Sequence, residues 1–364
     1  MKKTIRFSSL ALVACILLAG CEGDDFKYPE EPVNYAVVPY GYVLNQGNWG
    51  SNNASLSAIY LRGGQYMVSP DFYLKNNGQN LGDQAQDILM SEGGRVFVSV
   101  TNSKYIAKLD RNGVELARYS DFTNGPRSFV EADGDLFLST YDGKVLRFDT
   151  ATLTPKATYE LGAWLEDIAV AGGNVVVSNS DYTGMGLGHS LGIINVASGR
   201  VTEVECAPNP TRLVAWNGDF FFTTTEYDAS WNAVTKVWRL SDAGAANTID
   251  SVTLATNLYP TDNGLLMMNQ TVNYYVTPYA YSNNFLSYSN GTVSAVEPFK
   301  TDLSSAPVYM VQQHGDNLYV GISNYAASGS VLNSSLLIFD LEGNLVQRIS
   351  DAGGVFLSKI VFAE

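Results

Sequence analysis

Few residues in this chain are equipped for covalent chemistry. The stretch GHSLG (Gly188 to Gly192) spells the G-x-S-x-G nucleophile elbow of serine hydrolases. That motif works only where a strand turns sharply into a helix and a histidine base reaches the serine. Here Ser190 runs straight into the strand-like IINV, His189 is its immediate neighbour on an extended chain, and the other histidine, His314, sits in a distant tight turn. The preceding GMGLG lacks the G-x-G-x-x-G spacing and the helix N-terminus of a phosphate-holding loop. Two histidines and scattered thiols offer no transition-metal site, and Asp181, Glu226 and Asp228 read as solvated loop acids rather than calcium ligands. The expectation is a binding protein, not an enzyme, with no cofactor and no metal.

One modification is expected. MKKTIRF is basic, SSLALVACILL is apolar but too short to span a bilayer, and LAGC places small residues before Cys21. Residues 1–20 therefore read as a lipoprotein signal peptide, with the Cys21 thiol taking the diacylglycerol. Two or three acyl chains suffice for lasting attachment. The acidic, proline-bearing EGDDFKYPEEPVNY has little to bury, so residues 21–39 read as a flexible tether. Cys15 leaves with the signal and Cys206 has no partner for a disulfide, so it reads as a small buried residue. The chain carries 36 acidic against 22 basic residues, and loss of Lys2, Lys3 and Arg6 with the signal makes it more negative still. Nucleic acid is excluded as a partner on charge, and the membrane is reached through the lipid alone.

Aromatic and amide residues are the remaining chemistry. NQGNWGSNN (Asn45 to Asn53) interrupts strand-like sequence with five amide side chains and an indole. Comparable polar stretches carry Tyr105, Tyr141, Tyr182, Tyr227, Trp231, Tyr274, Tyr275, Tyr279, Tyr281 and Tyr325. Tyrosine and tryptophan give stiff amphipathic contact area, and asparagine and serine give adaptable hydrogen bonds. Some of these rings are expected to plug a channel or cover sheet edges. The candidate stacking or lining residues are Trp49, Tyr182, Tyr227, Trp231, Tyr274, Tyr275, Tyr279 and Tyr325, with Asn45, Asn48 and Asn52 as amide donors.

What must position them is a repeat. An apolar strand, a tight turn and a second apolar strand recur, with turns at Gly93 and Gly94, Asp133 to Asp135, Gly172 to Asn174, Asn217 to Asp219, Asn263 and Gly264, and His314 to Asp316. The spacing of about 40 to 50 residues is that of four-stranded propeller blades. Counting strands A to D outward from the centre, six units are complete. The N-terminal YVLN, SLSAIYL and QYMVSPDF supply B, C and D of a seventh, whose A strand is FLSKIVF (Phe356 to Phe362) at the other end. Pairing the two ends closes the ring and removes its open edge. The fold class is thus an all-β, seven-bladed propeller over residues 40–364. A–B and C–D turns fall on one face, and B–C loops with the blade-to-blade crossovers fall on the other. All the candidate residues lie on this second, crowded face.

The segments NGQNLGDQAQDILMSEGGRVFVSVTNSKYIAKLD (Asn77 to Asp110) and GYVLNQGNWGSNNASLS (Gly41 to Ser57), taken with the lipobox and the blade count, resemble the YncE-like surface lipoprotein propellers of the Bacteroidota. They are most similar to the corrinoid-binding lipoproteins of the BtuG type. The resemblance spans nearly the whole mature chain. It implies an outer-membrane, lipid-anchored protein facing the cell exterior, which captures a cobamide (vitamin B12) on its loop face and passes it to a TonB-dependent transporter. The acidic EGDD after Cys21 is similar to the surface-export signal of those lipoproteins. The resemblance assigns no individual binding residue. The other reading of the same face is a protein- or glycan-docking scaffold without a small ligand.

Overall fold

Second strands such as Val96–Val100 (VFVSV) and Asn174–Asn179 (NVVVSN) are apolar and buried almost throughout, because each lies between two neighbouring sheets. Outermost strands such as Glu115–Tyr119 and Val201–Glu205 alternate half-buried with exposed residues, as a sheet edge with one wet face requires. These two patterns bracket every sheet of the computed structural model, which describes residues 38–162, 164–180, 188–230 and 232–363. Cys21 with the signal and most of the tether, Asp181 and Tyr182, and Trp231 lie outside the described residues. Among the described residues no helix is long and apolar enough to cross a membrane.

Seven four-stranded antiparallel sheets form the molecule. Their innermost strands are Leu357–Phe362 (blade 1), Ala85–Met90 (blade 2), Pro126–Ala132 (blade 3), Leu165–Ala171 (blade 4), Pro210–Trp216 (blade 5), Asn257–Thr261 (blade 6) and Val308–His314 (blade 7). Each touches the next around a closed circle. Blade 1 joins the two ends of the chain, with Gly41–Asn45 paired to Leu357–Phe362. The seam is apolar: Tyr319 and Ile338 of blade 7 pack on Val43, Ile360 and Phe362 of blade 1. His314 closes it on the plain face, its ring stacked 3.9 Å from that of Phe362.

A repeated irregularity sits at the crowded-face end of the inner strands. Pairing with the second strand skips a residue between Ala85 and Asp87, Pro126 and Phe129, Leu165 and Ile168, Pro210 and Leu213, and Val308 and Met310. Such bulges bend a strand and re-aim its side chains. They are tied together by hydroxyls. Ser99 accepts from Asp87 N–H in its own blade and donates to Arg127 O in the next; Ser139 does so for Ser128 and Glu166, and Ser178 for Asp167 and Thr211.

Two sequence expectations need revision. The stretch QYMVSPDF is a strand only over Gln65–Ser69, after which a short helix, Phe72–Asn77, buries Phe72 and Tyr73 against the first two blades. The polar stretches carrying Tyr227, Tyr274 to Tyr281 and Tyr325, read above as loops, are largely continued strands. Pairing runs to Tyr227↔Ala233, Asn273↔Ala280 and Tyr325↔Val331, because the β-branched and aromatic residues there favour extended backbone.

Candidate functional site

Among the described residues, paired strand extension turns the hairpins of blades 5, 6 and 7 into walls. The second and third strands have five residues each in blade 2, but nine each in blade 5 and ten each in blade 6. At about 3.4 Å per residue the walls rise roughly 10–15 Å above the low rim. Across the wall of blade 6, Gln270 donates to Asn283 at 3.0 Å, and Asn283 donates to Leu303 O and Ala306 O, which anchors the extension to the crossover between blades 6 and 7.

A chain of tyrosines crosses from blade 6 to blade 7. Tyr274 and Tyr279 meet edge to face at 5.2 Å, Tyr279 and Tyr325 at 6.1 Å, and Tyr281 lies nearly parallel to Tyr325 at 6.3 Å with their hydroxyls 3.0 Å apart. Burial, reinforced by Tyr325, pushes the Tyr281 phenol well above the ordinary tyrosine range, so it stays neutral at every physiological pH. Tyr275 at the tip is 99% exposed and among the described residues touches no other ring, whereas Tyr227 stands exposed on the wall of blade 5.

The loop of blade 1 adds to the same sector. Trp49 is 72% exposed. Its loop is held by Gly50 N–H donating to both oxygens of Asp83 at 3.1 and 3.0 Å, and by Asn48 N–H donating to Asn53 Oδ1 at 2.8 Å. Gly47 is required at its φ of +83°, where a Cβ would stand 2.6 Å from Ala54 N. Among the described residues the side-chain amides of Asn48 and Asn52 have no hydrogen-bond partner. Asn45 differs: it is fully buried, and its Nδ2 donates to Ser55 Oγ and Ala352 O at 3.2 and 3.3 Å. It closes the ring from inside, and the structure does not bring it to the face.

The sector therefore gathers Asn48, Trp49, Asn52, Tyr227, Tyr274, Tyr275, Tyr279 and Tyr325 on the contiguous blades 5, 6, 7 and 1. Tyr105, by contrast, is buried with its hydroxyl donating to Leu81 O, and Tyr141 is engaged at the channel.

The channel mouth adds inner-strand residues that loop composition did not single out to Gln46 and Tyr141, which it did. Tyr309 of blade 7 donates to Gln46 Oε1, and Gln46 donates to Gln86 Oε1 at 3.2 Å, linking three blades. On the far side Arg127 pairs with Glu166, with its Nε 3.1 Å from Oε2, and Tyr141 donates to the other carboxylate oxygen at 2.9 Å. Burial works against the Arg127 charge, but Glu166, Tyr141 and Asp167 hold the guanidinium more firmly protonated than usual. The Tyr141 face lies 4.5 Å from that guanidinium, and Trp164, at a φ of +59°, packs 4.4 Å from Tyr141. The only sequence cue to these positions was polarity at the start of otherwise apolar inner strands.

The hydrolase-like GHSLG has no elbow. Ser190 opens a strand paired with Asn179 and Glu205, Asn179 donates to its hydroxyl at 3.3 Å, and His189 O accepts from Cys206 N–H. Cys206 is half-buried, and burial pushes its thiol up to about 12. Glu226 pairs with Lys236, while Asp228 accepts from Ser230 and Asn232 of its own turn. Among the described residues no three His, Cys, Asp or Glu side chains gather where a metal could sit.

No family model and no curated protein matches this chain. Solved structures match in fold. Hydrazine synthase of Kuenenia stuttgartiensis is 13% identical with a TM-score of 0.56, over 76% of this chain and 94% of that one. A catalytically inactive virginiamycin B lyase from Staphylococcus aureus with quinupristin is 14% identical with a TM-score of 0.52, over 80% and 94%. The WD40 domain of Neurospora crassa Pan2 is 12% identical with a TM-score of 0.50, over 72% and 78%. What is shared at these identities is the propeller.

Proposed function

We propose that this protein is a lipid-anchored binding propeller that captures a large, partly apolar ligand against the raised walls of blades 5 to 7 and delivers it to a membrane partner. The observation carrying this reading is the tyrosine chain Tyr274, Tyr279, Tyr325 and Tyr281, exposed at one end and hydrogen-bonded at the other. Such rings offer flat contact area at low entropic cost. The resemblance to the BtuG-type members of the YncE-like lipoproteins supports a cobamide as the ligand and a TonB-dependent outer-membrane transporter as the partner, with Cys21 as the anchor and the outer surface as the location. A corrinoid is broad and flat on one side and fringed with amides, which suits rings flanked by the free amides of Asn48 and Asn52.

The test is isothermal titration of residues 33–364, the compact unit of the chain, with cyanocobalamin. One-to-one binding that weakens on truncating Tyr279 and Tyr325 is the expected result. Absence of heat and of competition by any cobamide removes the corrinoid reading. The second reading, docking of a protein or glycan, is favoured by Tyr275 and Val276, which project from the tip of blade 6 where no wall encloses a small ligand. A pull-down from outer-membrane extract that loses its partner on changing Tyr275 to Ala, with titrations empty, selects it.

A further inference from the structure

We infer that the channel mouth beside the tyrosine wall contains a subsite for an oxyanion, carboxylate or phosphate, built on Arg212. The inference rests on the binding reading above and names the chemistry of one end of the ligand.

Arg212 occupies the bulge of the inner strand of blade 5, the position held by Asp87 in blade 2 and Asp167 in blade 4. Those two carboxylates have structural work. Asp87 accepts from Phe129 N–H of the next blade at 2.8 Å and from Lys359 at 2.7 Å; Asp167 accepts from Ser128 at 2.9 Å and reaches Leu213 N–H of the next blade at 3.4 Å. A guanidinium has donors only and cannot take over either acceptor role. Arg212 is also exposed, and among the described residues its side chain has no acceptor and no ion-pair partner, whereas Arg127 and Lys359 around the same mouth are both paired. Within a chain of net charge −14, a cation left open at the channel is unusual in its surroundings.

Its neighbours fit the same role. The Tyr259 hydroxyl, on the next blade, is buried without a hydrogen-bond partner among the described residues, and Arg212 is close enough to ease its ionisation against the dominant effect of burial. Tyr309 feels Arg212, Tyr325 and Arg127, again with burial dominant. Tyr309 is thus within electrostatic reach of both the open arginine and Tyr325 of the tyrosine chain, which puts Arg212 in reach of one end of a ligand lying on Tyr325 and Tyr279. The planar fork of arginine matches two oxygens of a carboxylate or phosphate, a contact stronger than a neutral hydrogen bond.

The experiment follows the arginine Nε–Hε resonances of the ¹⁵N-labelled protein at low salt while phenyl phosphate, benzoate or the uncharged benzyl alcohol is added, with Arg212→Gln identifying the resonance. The expected result is a saturable shift of the Arg212 signal with an anionic probe and none with the alcohol, and binding about tenfold weaker in Arg212→Gln. Arg212→Gln is expected to fold normally, since the side chain is exposed. No saturable shift with either anion overturns the subsite. If cyanocobalamin binds and Arg212→Gln leaves its affinity unchanged, the subsite is withdrawn and capture stands. If anions shift Arg212 and no cobamide binds, the corrinoid reading is withdrawn and the subsite stands.

Discussion

Blades 2 and 3 and blades 5 to 7 are variations on one sheet, yet they meet the crowded face differently. In blades 2 and 3 the central hairpins stop at the rim, and the polar residues near them are saturated: Arg127 with Glu166 and Tyr141, Asp87 with Lys359 and Phe129 N–H. In blades 5 to 7 the hairpins run on as walls whose outer rings are exposed and whose inner cation, Arg212, is open. The same residue types therefore serve two ends. Where tyrosine and arginine are buried and paired they close the ring, and where they are exposed they are available to a ligand. Burial and pairing, not residue identity, separate the two.

Substitutions on the saturated side should act on stability and those on the open side on binding. The largest effect is expected for Arg127→Ala or Glu166→Ala, each of which leaves a nearly buried charge without its partner. Denaturant unfolding should lose about 3–5 kcal/mol; a loss below about 1 kcal/mol would mean that water already screens this pair. Next comes Asp87→Ala, which strips Phe129 N–H and Lys359 of an acceptor at the blade 1 to blade 3 junction. A loss of about 1–3 kcal/mol is expected in the same assay.

On the open side, Tyr279→Ala and Tyr274→Ala should each weaken ligand binding by about 1 kcal/mol or more, read by titration, while unfolding shifts by no more than about 0.5 kcal/mol. The reverse outcome, stability lost and affinity kept, would move these rings to the structural side of the comparison. The smallest effect is expected at Cys206. Its folded thiol lies above the unfolded value of 9.0, at about 12, so its contribution is fully present below pH 9 and is lost as pH rises toward 12. Native protein should therefore resist thiol reagents at pH 8, and a Cys206→Ser variant should flatten the alkaline decline of stability.

Much of this was legible in the residues. Alternating Glu115–Tyr119 and continuous Val96–Val100 revealed outer and second strands because burial on one face or two leaves different periods. The tight Gly-bearing turns counted the blades, and FLSKIVF could be matched to the N-terminal strands because a ring has no other way to remove its edge. Trp49, Tyr274 and Tyr275 could be placed on one face from topology alone. Their neighbours could not. Asn45 and Asn48 are the same residue type three positions apart in one stretch, yet one is sealed inside the ring and the other is only half-buried in the loop.

The sequence by itself determined the seven-fold sheet and the face that carries the aromatic residues, since both follow from local patterns of burial and turn chemistry that every blade repeats. Only the tertiary structure decided which hairpins become walls, which tyrosines touch across blades 6 and 7, and which inner-strand cation is open. Those features depend on one-residue bulges that re-aim Arg127, Arg212 and Tyr309, and on contacts between residues far apart in the chain, such as Tyr309 with Gln46. No period or spacing along the sequence encodes a contact of that kind.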